Sequence, residues 1–212
     1  MEYQMEYNIE VKFLAIMEKN FDEDLIKYID DKTKLLKLFD KKSINMKKRR
    51  ICKIIPIEYI PNETQHIYFC CPSIFNKKID NLPQNLIGLF LGSNFNQKLD
   101  NLPKNLSNLS LSRHYNNKIN KLPKNLLYLK FFGSFNNKIN IPKNLKILHM
   151  PCHINLINNI PKHIEKIHIE FDIIESYNKK VENLPFTLKE IVIKSIYEKY
   201  VKVPFGCILT LY

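Results

Sequence analysis

The chain has 212 residues, a formal net charge of +12 and an apolar share of 45%. That length suits one large domain, or a short repeat array behind a small N-terminal module. No run approaches 18 consecutive apolar residues, which argues against a membrane span. The polar, acidic start from Met1 to Asn8 argues against a secretory signal.

Three arginines, Arg49, Arg50 and Arg113, leave lysine to supply 30 of the 33 cations, and asparagine and isoleucine are also abundant. This mixture reads as a compositional bias toward Lys, Asn and Ile. Because nucleic-acid readers recruit arginine for bidentate contacts, it argues against a nucleic-acid partner. Cys52, Cys70, Cys71, Cys152 and Cys207 show no CxxC spacing and read as reduced thiols. The expected location is the cytoplasm, or the host-cell cytoplasm for a viral chain.

Residues 1–55 do not repeat and are expected to form a small helical cap. Ile9, Val11 and Phe13 alternate, but Phe13 to Met17 reads better as helix. Asn20 followed by Glu23 is a helix start, with Asp22, Glu23 and Asp24 at the positive end of the dipole. Leu25, Ile26 and Ile29 share a face. A second helix from about Lys32 to Lys42 would bury Leu35, Leu36, Leu38 and Phe39. The basic run through Lys47, Lys48, Arg49 and Arg50 reads as a solvated linker rather than a localisation signal.

Residues 56–212 read as a tandem array. Prolines stand at 61, 83, 103, 123, 142, 161, 185 and 204, spaced 22, 20, 20, 19, 19, 24 and 19 apart. The block Leu82-Pro83-Gln84-Asn85-Leu86 returns as Leu102-Pro103-Lys104-Asn105-Leu106 and Leu122-Pro123-Lys124-Asn125-Leu126. Apolar residues recur three, six and eight places after the prolines from 83 to 185, while the first coil offers only Ile67 and Phe69, with Thr64 at plus three. Examples are Leu86, Leu89 and Leu91, then Leu106, Leu109 and Leu111, continuing to Leu188, Ile191 and Ile193. The step of two between plus six and plus eight is strand alternation, so each unit should carry one short strand.

An aromatic-asparagine pair follows each strand at Phe75-Asn76, Phe95-Asn96, Tyr115-Asn116, Phe135-Asn136 and Tyr177-Asn178. Four places after the aromatic come Ile79, Leu99, Ile119, Ile139 and Val181. The aromatic should turn the chain back and fill the core. The asparagine amides should stack into a ladder that satisfies backbone groups left unpaired by the turn. Only four glycines are present, so asparagine must take over much of the turn chemistry. Proline, lacking an N–H, suits the extended entry to a strand or a sheet-free side of the coil. One such unit cannot bury its apolar face alone, whereas stacked units make a solenoid with one parallel strand per coil of about 20 residues.

These motifs resemble the FNIP repeat family, a variant of leucine-rich repeats, over roughly Phe75 to Pro204. The resemblance implies a leucine-rich-repeat-like solenoid, in a family that occurs in amoebae and large DNA viruses. Beyond Ile139 the pattern departs: Ile154-Asn155 lacks the aromatic, the unit from Pro161 is lengthened before Tyr177, and Tyr197-Glu198 replaces the final pair. The later coils should be irregular. Some FNIP proteins carry an F-box, and Phe21 to Lys32 looks like the start of one without its usual Leu-Pro opening. That resemblance implies an alternative role as substrate adaptor of a ubiquitin ligase.

No phosphate-cradling glycine loop and no Ser-His-Asp order is present, and His149, Cys152 and His153 lack a fourth metal ligand at fitting spacing. No cofactor, metal or catalytic residue is expected. Function should reside in the varying residues at plus five and plus seven, which point away from the core. Tyr68, Phe90, Tyr128, Lys130, Ile147, His149, Lys166 and His168 are the candidate partner-binding residues, with Phe90, Tyr128 and Ile147 as an apolar centre. The expected function is non-enzymatic protein binding. Lysine ladders at 78, 98, 118, 138 and 180, and at 104, 124, 143 and 162, read as solvated faces, with polyanion binding as a further alternative. The end, Ile208 to Tyr212, reads as a strand.

Overall fold

The structure is a computed structural model, and it describes residues 48–51, 60, 62–69, 75–132, 135, 137–152, 155–171 and 180–212. The expected helices of residues 1–55 and the F-box-like segment lie outside the described residues. The described residues belong to one compact unit, Lys47–Tyr212.

Among the described residues nine strands form one sheet in sequence order: β1 Lys48–Ile51, β2 His66–Phe69, β3 Gly88–Phe90, β4 Asn108–Ser110, β5 Tyr128–Lys130, β6 Ile147–Pro151, β7 Lys166–Glu170, β8 Glu190–Ile193 and β9 Ile208–Leu211. Every neighbouring pair is parallel, and the register advances one repeat at a time, as in Leu89 to Leu109 to Leu129 to Leu148. This is the parallel, leucine-rich-repeat-like solenoid that the spacing predicts. The first described strand falls on the basic run that the sequence reads as a linker, so Lys48–Ile51 belongs to the sheet.

The plus-three, plus-six and plus-eight residues are the core. Leu106, Leu109, Leu111, Leu126, Leu129 and Phe131 are fully buried, and Ile164, Ile167 and Ile191 repeat this further on. Thr64 takes the plus-three place in the first coil and is buried there too. Behind the sheet the rings of Phe75, Phe95, Tyr115 and Phe135 stack in a column with centroids 6.2 to 6.3 Å apart. Stacked coils thereby bury the aromatic of each turn against the same residue in the next coil, a contact that no single coil could make.

Asparagine ladders hold the turns together. Asn76 Oδ1 accepts the backbone N–H of Asn96 at 2.8 Å, and Asn96 Oδ1 accepts that of Asn116 at 3.0 Å. A second ladder runs through the proline block: the side-chain amides of Asn105, Asn125 and Asn144 donate to the carbonyls of Gln84, Lys104 and Lys124 at 3.3, 3.2 and 3.0 Å. Thr187 takes over that task, donating to the carbonyl of Lys162 at 2.6 Å. No described residue other than glycine has positive φ. Asparagine therefore serves these turns by bridging coils, not by adopting left-handed backbone.

Each described repeat proline, from Pro83 to Pro204, begins a tight turn rather than an extended entry. Its carbonyl accepts the N–H of the plus-three residue, as from Leu86 to Pro83 at 3.1 Å and from Leu126 to Pro123 at 3.2 Å. The turn needs the proline's carbonyl and not its missing N–H. The later coils are irregular. A 3-10 helix at Asn155–Asn159 stands where the aromatic pair is absent and presents Ile157 to the core. Another at Ser195–Tyr200 places Tyr197 against Phe171, with centroids 4.7 Å apart.

Candidate functional site: the outer face of the sheet

Strand alternation that drives plus six and plus eight inward sends plus five and plus seven to the opposite face. Parallel register then aligns these side chains in columns. One column reads His66, Gly88, Asn108, Tyr128, Ile147, Lys166 and Glu190; the other reads Tyr68, Phe90, Ser110, Lys130, His149, His168 and Val192.

The columns form two groups with a low strip between them. At one end Tyr68 and Phe90 stack at 4.4 Å and 7°, and His66 lies parallel to Tyr68 at 6.4 Å. His66 covers Gly88 so closely that a Cβ on Gly88 would lie 2.6 Å from His66 Cδ2. Glycine at 88 is what admits this ring. Strand β4 contributes only Asn108 and Ser110, so a step separates Phe90 from the taller side chains of β5.

The second group is polar and interlocked. Lys130 lies over the ring of Phe132 at 4.0 Å and reaches Glu170 Oε1 at 3.4 Å. His149 Nε2 lies 2.6 Å from the same carboxylate oxygen. An ionised carboxylate only accepts, so the imidazole carries its proton on Nε2 and donates it. The hydrogen bond from His149, aided by the charges of His149 and Lys130, holds Glu170 down to about 2 despite its partial burial. His149 and His168 stack with centroids 3.9 Å apart, and the Tyr212 hydroxyl lies 2.9 Å from His168 Nε2. Burial, then the charge of His149, lowers His168 to about 4. Beside this group, Lys166 pairs with Glu190 at 2.8 Å, and Thr210 donates to Glu190 at 2.9 Å. Glu165 joins Lys146 and Lys189, each at 2.7 Å.

All eight candidate residues lie on this face. The structure brings Tyr68 to Phe90, Tyr128 to Ile147 to Lys166, and Lys130 to His149 to His168. It does not bring Phe90 to Tyr128, because β4 lies between them and the two belong to different columns. The sequence reading missed Phe132 and Glu170 because it ended each strand at plus eight, whereas β6 and β7 run to plus nine. The signal was available: plus nine has the same parity as plus five and seven. Cys152 is fully buried, and the partner of His149 is Glu170. Among the described residues no three His, Cys, Asp or Glu side chains group as a metal site. No described helix is long and apolar enough to cross a membrane.

The fold and its column of varied side chains define a leucine-rich-like repeat protein. Residues 75–114 match the family model described as FNIP Repeat. No curated protein matches the chain. Among solved structures it is similar to one described as CroV588, a novel circular LRR protein, with 20% identity and a TM-score of 0.44. That likeness covers 86% of this chain and 39% of the other, so the chain spans well under half the length of that protein.

Proposed function

We propose that this chain is a non-enzymatic interaction module that holds a protein partner on the outer face of its sheet. The observation that carries the reading is the contrast between the two faces of one strand set. Inward residues are nearly the same from coil to coil, while the outward column changes from Tyr68 and Phe90 through Ser110 to Lys130, His149 and His168. Repetition inside builds the coil; variation outside supplies specificity. Half-exposed aromatics beside a low strip and a charged group have the composition of a protein interface, where aromatic anchors sit within a polar surround. The ubiquitin-ligase adaptor reading depends on Phe21 to Lys32, which are not among the described residues.

A photo-reactive side chain placed at Asn108 or Tyr128 tests the reading in the native cell. A discrete protein adduct is expected from these positions and not from Asn81 or Glu182 in the connecting segments. Equal labelling from both sets, or none from Asn108 and Tyr128, would remove the proposal.

A further inference from the structure

The net charge is concentrated in one block of the chain. Between Asp100 and Glu165 there is no Asp or Glu, yet this stretch carries nine lysines and Arg113. Removing those ten from the 33 cations leaves 23 against all 21 acids, a net of +2 for the rest of the chain. Ten of the twelve net charges therefore reside in residues 101–164, the coils opened by Pro103, Pro123 and Pro142. A general preference for lysine would raise cations everywhere and would not strip acids from three adjacent coils. Compositional bias, the expectation from the sequence, does not account for this distribution.

The fold shows where the charge goes. The coil opened by Pro161 supplies carboxylates to Lys130 in β5 and to Lys146 just before β6, through Glu170 and Glu165. The others are not served in this way. Lys104, Lys118, Lys121, Lys124, Lys138 and Lys143 are all exposed, lie in the segments between strands, and take part in none of the ion pairs among the described residues. In the preceding coils Asp80 and Asp100 follow the core residues Ile79 and Leu99, but Asn120 and Asn140 occupy that place after Ile119 and Ile139. The stacking is direct, since Asn120 Nδ2 donates to Asp100 Oδ1 at 3.2 Å. Replacing acid by amide at this place leaves the lysines of the next coils unopposed, with about 5 Å between successive coils.

Three features select the partner. Tyr115, Phe131 and Phe135 are buried, and the partly exposed Tyr128 and Phe132 belong to the strand face with Lys130, so the lysine-bearing segments between strands carry no aromatic platform for stacking bases. Arg113 alone offers bidentate readout of a base edge. Leu127 is the one large exposed hydrophobic residue described in this stretch, whereas stable attachment to a membrane combines charge with an apolar anchor. What remains is a dense array of lysine point charges matched to a dense array of phosphates. Duplex nucleic acid, with one charge per about 1.7 Å of axis, rewards such an array by releasing counterions. We propose that the inter-strand face of residues 101–164 binds the phosphate backbone of duplex nucleic acid without reading its sequence.

The test is fluorescence anisotropy of the full chain with two unrelated labelled duplexes over a salt series. Wild type should bind both alike, and the logarithmic salt slope should approach about −6 if seven cations engage. Replacing Lys118, Lys121, Lys124 and Lys138 by Gln should weaken binding by roughly tenfold or more at low salt and bring the slope to about −3. The matched control replaces Lys180, Lys194, Lys199 and Lys202, which removes the same charge elsewhere and should leave the slope near wild type. Equal losses in the two variants would overturn the proposal, because net charge alone would then explain binding. So would no duplex binding at low salt, or tighter binding to polyglutamate or to phosphatidylserine vesicles under the same conditions.

Discussion

Asn96 Oδ1 accepts the backbone N–H of Asn116 one coil further on, at 3.0 Å, and also receives the side-chain amide of Asn117 at 2.9 Å. One amide oxygen thus ties two donors of the next coil to its own turn. Asn96→Ala removes the acceptor and leaves those donors to water. The expected cost is about 1–2 kcal/mol, a fall in Tm of several degrees by circular dichroism. Asn96→Asp keeps the acceptor and should recover most of the loss. An Asp variant as unstable as the Ala variant would show that the amide, not the oxygen, is what the ladder needs.

Tyr115 occupies a column otherwise filled by Phe75, Phe95 and Phe135, and its hydroxyl is buried without a hydrogen-bond partner. Burial accordingly pushes its ionisation upward. An unpaired buried hydroxyl has given up water and gained nothing. Tyr115→Phe should therefore leave stability unchanged or raise it by up to about 1 kcal/mol. Tyr115→Ala, which opens the stack, should cost about 3–5 kcal/mol. Thermal melts that place Tyr115→Phe well below wild type would mean the hydroxyl is satisfied in solution.

His168 makes stability depend on pH. Folding lowers His168 from about 6.5 to about 4, chiefly by burial and then by the charge of His149. Between these values the unfolded chain takes a proton that the folded chain refuses, so stability falls as pH drops from 6.5 to 4 and levels off below. Glu170 acts in a lower window. Its folded value near 2 stabilises the protein above about 4.5, and that contribution is lost as pH falls toward 2. Urea midpoints from pH 4 to 7 should rise with pH in wild type and rise less in His168→Gln. Parallel curves for the two proteins would contradict the assignment.

How far the sequence reveals this molecule depends on which interactions repeat. Leu109 and Leu129 are recognisable as core because their spacing recurs, and Asn96 and Asn116 as a ladder because the aromatic before each recurs. Strand β1 was not recognisable, since no proline block or apolar triplet precedes Lys48. The bonds of Asn105 and Asn125 to the previous coil were missed for another reason. These asparagines stand in every clear block, but their role is a contact between coils, which one coil's sequence does not display. The outer face was legible as a set of positions and not as a surface. Which side chains meet there depends on register, on how far each strand runs, and on gaps such as β4, all properties of the stack.

Gly88 and His66 offer a direct handle on that face. Gly88 lies beside His66 across β2 and β3, and a Cβ there would meet the imidazole edge at 2.6 Å and Phe90 Cε2 at 3.0 Å. Its φ is not in the left-handed region, so the backbone accepts alanine and only the neighbouring rings resist it. Gly88→Ala must displace the His66 ring and disturb its packing on Tyr68 and Phe90, at a cost of about 1–3 kcal/mol. With His66→Ala already in place, the same change should cost less than about 1 kcal/mol, or stabilise the strand through reduced freedom of the unfolded chain. The resulting double-mutant coupling should exceed about 1 kcal/mol in urea unfolding. Additive losses would place the strain elsewhere than in the His66 ring. If a partner docks on Tyr68 and Phe90, Gly88→Ala should also weaken its capture at temperatures where the variant remains folded, and His66→Ala should rescue the double variant.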